Sequence, residues 1–208
     1  MTSEPEPTRD RVYRSPAGIA GGVLMLVLGA WLGIDAVIGG TGRTPWLTVA
    51  GLLLAVPLVV AFTLRPAVFA GEDRLRIRNP FRAVTLPWAA VSGFRSGYSN
   101  EVFDQAGTKY QLWSVPVSLR GRKKAQRNLA RAAAAGDPGR PSLIGRSGAQ
   151  SRPTRAAADQ VMDELRELGE ARAAEPTAQG EPVVRWAYEI IAPAAVGAVL
   201  LVVLLATG

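Results

Sequence analysis

The sequence predicts a membrane protein of three spanning helices that carries one β-barrel or β-sandwich domain with a single amphipathic helix after its strands. Three observations predict it. Apolar residues make up 48% of the 208, and they gather in three runs of about twenty, the length a helix needs to cross about 30 Å of hydrocarbon. Between the second and third runs lies a polar segment, 65–186. Its first half alternates apolar and polar residues in short bursts broken by turn residues, which is a strand signature. Its second half holds one stretch with helical apolar spacing.

The elements follow in order. Residues 1–16 are polar, contain Pro, Glu and Arg, and show no apolar face, so they read as a disordered tail. The first span is 17–38. Arg11 and Arg14 precede it, which raises a signal peptide as the competing reading, but the run is too long for a signal core and a second run follows at once. Gly18, Gly22, Gly29 and Gly33 fall on one narrow face of this helix. Small residues let another helix approach closely, so this face is expected to pack on 46–64 or 187–206 of the same chain. The plain alternative is that glycine is frequent here, with 22 in the chain. Asp35 lies three residues from the end of this span, near enough to reach the interface.

Residues 39–45 form a turn. The second span is 46–64, with Trp46 suited to the interface and Pro57 expected to kink it; 17–64 is thus a helical hairpin. The third span is 187–206, flanked by Arg185, Trp186 and Tyr188, with Pro193 tolerated in its first turns. Arg9, Arg11 and Arg14 lie in the tail and Arg43 alone in the turn. All other Lys and Arg lie in 65–186. The positive-inside rule then places the tail and middle segment in the cytoplasm and the C-terminus outside a cell membrane.

Within the middle segment, 67–70 is a short strand and Gly71-Glu72-Asp73 a turn. In 75–78 Leu75 and Ile77 share a face. Asn79-Pro80 turns the chain into 84–86, which Pro87 ends. In 91–95, Val91 and Phe94 face opposite sides or span a bulge. Val102-Phe103 leads into a Gly-containing turn at 104–108. The best strand is 109–115, with Tyr110 and Leu112 on one face, Trp113 and Val115 on the other. Residues 120–153 are rich in Arg, Ala, Gly, Ser and Pro and read as a flexible basic insertion. In 154–172, Val161, Met162, Leu165 and Leu168 form one stripe, while Asp159, Asp163, Glu164 and Glu167 face water. This helix is expected to return across the insertion and bury Val161, Leu165 and Leu168 against the strands. Residues 173–186 read as a linker.

The chain has no Cys and no His. That excludes disulfides, thiolate metal sites, cysteine nucleophiles and the commonest general base. No phosphate-cradling glycine loop is present, and no nucleophile is placed beside a base. The reading is therefore non-enzymatic, with no catalytic residue, metal or cofactor. Arg74, Arg76 and Arg78 alternate on one strand and share a face, either as an anion patch that grips phosphate or as a solvated face that guards an edge. Arg120, Arg122, Lys123, Lys124, Arg127 and Arg131 form a basic run without acids, suited to anionic lipid or to solvent. Nucleic acid is disfavoured, because no RNA-binding signature is present and a tethered domain always has lipid at hand. Trp88, Trp113, Phe81, Phe94 and Tyr110 are assigned to the core.

Short hairpin-linked strands followed by one amphipathic helix follow the pleckstrin-homology (PH) order. The wording sharpens this: Leu64-Arg65-Pro66 leaving a span, then Leu75-Arg76-Ile77-Arg78-Asn79-Pro80-Phe81-Arg82, then Leu86-Pro87-Trp88-Ala89-Ala90-Val91, then Lys109-Tyr110-Gln111-Leu112-Trp113-Ser114-Val115-Pro116-Val117. It resembles the bacterial PH domain of small actinobacterial membrane proteins of the low-molecular-weight protein antigen 6 type. The resemblance implies a two-sheet barrel capped by a helix, here 65–119 plus 154–172, presented to the cytoplasm on membrane helices. It implies neither catalysis nor a fixed ligand. The expected function is interaction with a protein partner or with anionic lipid of the bilayer. The alternatives are an accessory subunit acting through its spans, and a transporter component using Asp35 and Glu189.

Overall fold

The computed structural model describes residues 10–115 and 152–207, with side chains from 159 onward in the second stretch. The insertion expected at 120–153 thus lies almost wholly outside the described residues.

Ser15 closes the first polar stretch. Its Oγ accepts the Gly18 N–H at 3.2 Å, and Pro16 takes the first helical position, where a missing donor costs nothing. Helix α1 (Pro16–Ile38) follows. Gly42, at φ +61°, supplies the left-handed turn residue that returns the chain into α2 (Thr44–Val59). Pro57 removes a backbone donor from α2. The helix then widens into a π-turn over Val60–Leu64, closed by the Arg65 N–H on the Val60 carbonyl at 2.9 Å, a recognised response to a broken i→i−4 ladder. Helix α3 (Arg152–Arg172) belongs to the β domain, and the last of the long apolar helices is α4 (Tyr188–Ala206). All three are long and apolar enough to cross a membrane. Helix α2 lies between α1 and α4 and packs on both.

Small residues set these contacts. A Cβ on Gly33 would fall 2.6 Å from Leu52 Cδ1, and one on Gly22 would collide with the Thr63 side chain. Gly18 makes only ordinary contact with the Thr63 carbonyl, and Gly29 has open space around it. The α1 glycines that make contact therefore meet the α2 side, and Gly29 does not share their role. The tightest approach to the backbone of another helix is one the sequence reading passed over: a Cβ on Gly197 of α4 would lie 2.5 Å from the Leu54 backbone nitrogen.

The β domain has two antiparallel sheets. One has the order β1-β2-β3-β4-β8, the other β5-β6-β7. The first contains β1 (Arg11–Tyr13), β2 (Ala67–Ala70), β3 (Arg74–Arg78), β4 (Arg82–Pro87) and β8 (Val183–Trp186). The second contains β5 (Val91–Ser96), β6 (Asn100–Asp104) and β7 (Lys109–Gln111). Two expectations need correction. Residues 10–16 are not a disordered tail, because β1 pairs with β2 from Arg11↔Ala70 to Tyr13↔Val68. Nor is 173–186 a free linker, because β8 pairs with β4 from Arg82↔Trp186 to Thr85↔Val183. Each strand covers an edge of the β2–β3–β4 ladder whose N–H and C=O groups would otherwise lack partners.

A bulge between Val91 and Gly93 lets both Val91 and Phe94 pack on the core. Strand β7 is shorter than expected. The Leu112 N–H bonds the Asn100 carbonyl, and the chain then turns, with the Val115 N–H on the Leu112 carbonyl at 3.1 Å. The Asn100 side-chain amide donates to the Val115 carbonyl at 2.9 Å. That turn puts Val115 in the same core as Tyr110 and Leu112, not with Trp113.

Helix α3 (Arg152–Arg172) closes the open side of the two sheets. Met162 and Leu165 are fully buried in the core with Val68, Leu75, Ile77, Val84, Leu86, Trp88 and Val102; Val161 and Leu168 are partly buried against it. The Trp88 indole donates to the Gly71 carbonyl at 3.0 Å. Ala178, beyond α3, is also buried, so the chain stays docked on the domain before entering β8.

Gly197→Leu should separate α4 from α2 at a cost of about 1–3 kcal/mol, the range for overpacking. Gly29→Leu, into open space, should leave stability nearly unchanged. Thermal melts of the full chain in mild detergent distinguish the two.

Candidate functional site

Register fixes which residues meet at the end of the first sheet that adjoins the long helices. Tyr13, Val68, Ile77–Arg78, Ala83–Arg82 and Trp186 are neighbours there. Strands β1, β2 and β8 run directly into α1, out of α2 and into α4. The β3–β4 turn, Asn79-Pro80-Phe81, is the one hairpin at this end, and it seats on the helices. The Phe81 carbonyl accepts the Ala187 N–H at 2.8 Å. Its ring packs with Ala61, Val60, Ala187 and Ile190. Arg65 ties the same corner, donating from Nε to the Asn79 carbonyl at 3.2 Å and from Nη1 to Glu189 Oε1 at 2.6 Å.

The second sheet reaches the same place by another route. Phe62 stands edge-on to Phe81 at 5.3 Å between centroids and tilts against Trp113 at 5.7 Å. Trp113 is therefore not a core residue, as the sequence suggested. It is 42% exposed, at the junction of the β domain with α2.

The three β3 arginines share the outer face, as their alternation requires, but they do not form a uniform anion patch. Arg74 lies 3.6 Å from Asp73, and Arg76 is ion-paired to Asp10. The Arg76 and Arg78 guanidinium groups sit 5.5 and 4.9 Å from the Phe69 ring centroid, where a cation meets the ring's negative face. An open depression of about 530 Å³ is lined by Asp10, Glu72, Asp73, Arg74, Arg76 and Arg185, with Thr85 and Val183. Equal numbers of carboxylates and guanidiniums leave it without a net positive field. Arg78 is nearest the helix end of the ladder. Arg120, Arg122, Lys123, Lys124 and Arg127 lie outside the described residues.

Asp35 and Glu189 stand at opposite ends of the helix bundle. Asp35 is in the last turn of α1 next to the 39–43 turn, and Glu189 is in the first turn of α4 beside the β domain. A helix length of roughly 30 Å separates those two levels, so the pair does not make a shared polar path. Among the described residues no group of carboxylates is placed to hold a metal ion.

Two acid–tyrosine contacts, one buried and one part-buried, shape the domain around this site. Burial pushes the Asp104 carboxyl up, but the Thr108 N–H and the Tyr110 hydroxyl, at 2.7 and 3.0 Å, outweigh it and hold the group below the usual range. The Tyr13 hydroxyl donates to Glu164 Oε2 at 2.7 Å, which ties β1 to α3. Burial, then that bond and the carboxylate's charge, push the Tyr13 phenol up to about 12.

Residues 65–141 match the family model for a bacterial PH domain. The match begins where α2 ends and covers β2 to β7. The long helices, the first strand and the capping helix lie outside it. No curated protein and no solved structure matches the chain. Eight strands in two sheets, with one capping helix, agree with a PH-like domain, and such a domain serves as an interaction module. Sequence reasoning found its core strands and its capping helix. It missed the Phe62–Phe81–Trp113 contact and the Arg65–Glu189 pair, for which the only sequence signal is aromatic and charged residues crowded at the flanks of apolar runs.

The Tyr13 phenol is raised in the folded chain, so its contribution is fully present below the ordinary tyrosine value near 10 and lost as pH rises towards 12. Tyr13→Phe should cost about 1 kcal/mol or less at neutral pH, since water screens part of the site. It should also remove this contribution to the alkaline loss of stability. Melting temperatures of both proteins at pH 9 and pH 11 check this.

Proposed function

We propose that the chain is an integral membrane protein whose three long helices cross the bilayer, and that its PH-like domain is a non-enzymatic interaction module held flat against the cytoplasmic leaflet. The observation that carries this reading is the set of short junctions: β1, β2 and β8, strands of one sheet, are each joined to a different long helix by two residues or fewer. A domain attached in this way cannot swing out on a tether. Its helix end carries Arg14, Arg65, Arg78 and Arg82, whereas the opposite end of the bundle carries Arg43, near Thr207. That asymmetry supports the cytoplasmic assignment.

The ligand class supported best is anionic phospholipid headgroups. The outer face of β3 is largely neutralised by its own acids, so the weight shifts to the basic run. The basic run begins at Arg120, five residues after Val115 in the chain. Each base near an anionic surface gains about 1 kcal/mol. The PH-like domain then presents its remaining surface to a protein partner. Nucleic acid is not the anion this arrangement favours.

Because the chain lacks Cys, single cysteines report topology. Thr41→Cys should react with a membrane-impermeant maleimide in intact cells, and Ala133→Cys only after lysis; the reverse pattern would overturn the orientation. For the ligand, the full chain extracted in mild detergent should carry anionic phospholipid, read by native mass spectrometry. Replacing Arg120, Arg122, Lys123, Lys124 and Arg127 with Gln should strip most of it. Unchanged lipid in that variant would sink the lipid reading.

A further inference from the structure

We propose that the tip of the β5–β6 hairpin, with Tyr98 and the neighbouring Trp113, is a second membrane contact that dips into the interfacial layer of the leaflet from which α2 emerges. The proposal rests on the membrane reading above and adds to it a surface that the junctions do not require.

Tyr98 is 94% exposed at the centre of a tight turn, in which the Gly97 N–H bonds the Ser99 carbonyl at 3.0 Å. A large ring left so open on a hairpin tip is free to meet a surface that takes its apolar body out of water. The position of the tip says what does. Strand β7 runs towards it, and the chain leaving β7 carries Trp113. Tyr98 and Trp113 line the same small open hollow of about 130 Å³, together with Ser99, Asn100 and Gln111. Trp113 in turn lies on Phe62, two residues before the end of the π-turn that closes α2. The hairpin tip, Trp113 and the end of a membrane helix are thus successive neighbours at one level. Trp186 and Tyr188, both exposed at the start of α4, stand at the corresponding point of another helix. Tyr and Trp rings have an apolar body and a polar edge, and they collect at the depth of the headgroups.

The charge pattern agrees. The turn itself, Gly97-Tyr98-Ser99, carries no charge. The nearest charges, Arg95 and Glu101, are paired across the strands at 2.8 Å, so the tip can enter a headgroup layer without leaving an isolated ion. The first sheet already touches the helices through Phe81. With this contact the domain rests on the membrane through both sheets. The occupant is the bilayer itself, not a peptide or a second copy.

The test uses the full chain reconstituted in lipid nanodiscs at one copy per disc. A polarity-sensitive fluorophore is attached to a single introduced cysteine: Gly97→Cys, where added side-chain atoms meet open space and Tyr98 is kept; Ala106→Cys, in the turn at the other end of the same sheet; or Ala30→Cys, on the exposed face of α1. Lipids carry a nitroxide either at the headgroup or deep in the acyl chain. The label at 97 should be quenched by the headgroup nitroxide roughly twofold or more beyond the label at 106, as expected of an interfacial site. Adding Tyr98→Ser and Trp113→Ser should bring it down to the level at 106. Equal quenching at 97 and 106 would overturn the proposal, as would a tip signal unmoved by the serine variants. The label at 30 keeps the two readings apart. Quenching there by the deep nitroxide upholds the spans even if the tip fails, and its absence would bring down the membrane reading itself.

Discussion

Backbone pairing at the two edges of one sheet is the constraint on which the rest of the molecule depends. Strand β1 must find β2, and β8 must find β4. Neighbouring strands lie about 4.8 Å apart, whereas packed helices lie about 8–10 Å apart. The sheet therefore brings the ends of α1 and α2 closer than helix packing alone would. It also holds the starts of α4 and β2 three strand spacings apart, farther than helix packing would. The chain absorbs the first mismatch at Arg14-Ser15 and Arg65-Pro66. It fills the second with the β3–β4 turn, where Phe81 occupies the space between α2 and α4 that the wide strand spacing opens. Gly197 and Gly33 then let the helices close up farther along their length. A single geometry thus explains the aromatic wedge and the small residues.

Much of this architecture was legible in the sequence, for a reason of scale. Three apolar runs long enough to cross a bilayer stand out against any background. Alternation in 74–78 and the 161–168 stripe each repeat often enough to define a face, and Leu165 lies where that stripe predicted. What stayed hidden was decided by partners distant in the chain. Arg11-Val12-Tyr13 and Val183-Val184-Arg185-Trp186 are too short to show a period, and become strands only because β2 and β4 offer unpaired edges. Strand β7 stops early because Asn100, on the neighbouring strand, takes the Val115 carbonyl into a turn. Trp113 looked like core because it is large and apolar. One turn of backbone sends it to the helix junction instead.

The candidate site changed in the same way. Alternating arginines on β3 do share a face, which is a local fact. Whether that face is an anion patch is not local, since Asp10 comes from the strand segment before α1 and Asp73 from the preceding turn. Once those acids are counted, positive charge is no longer concentrated at the free end of the sheet. Nearer the helices, Arg78 and Arg82 lie over the Phe69 and Tyr110 rings, while Arg65 is paired to Glu189.

The β1–β2 pairing also sets an order of events. The first strand of the sheet leaves the ribosome before either helix of the hairpin, and its partner only after both. The second edge is closed by the last strand before the final helix. The sheet is therefore a closure that cannot be completed until α1 and α2 stand side by side with their ends on the same level. A chain whose helices are misplaced keeps two bare edges and an uncapped row of hydrogen-bonding groups, the form that quality-control proteases and aggregation both recognise.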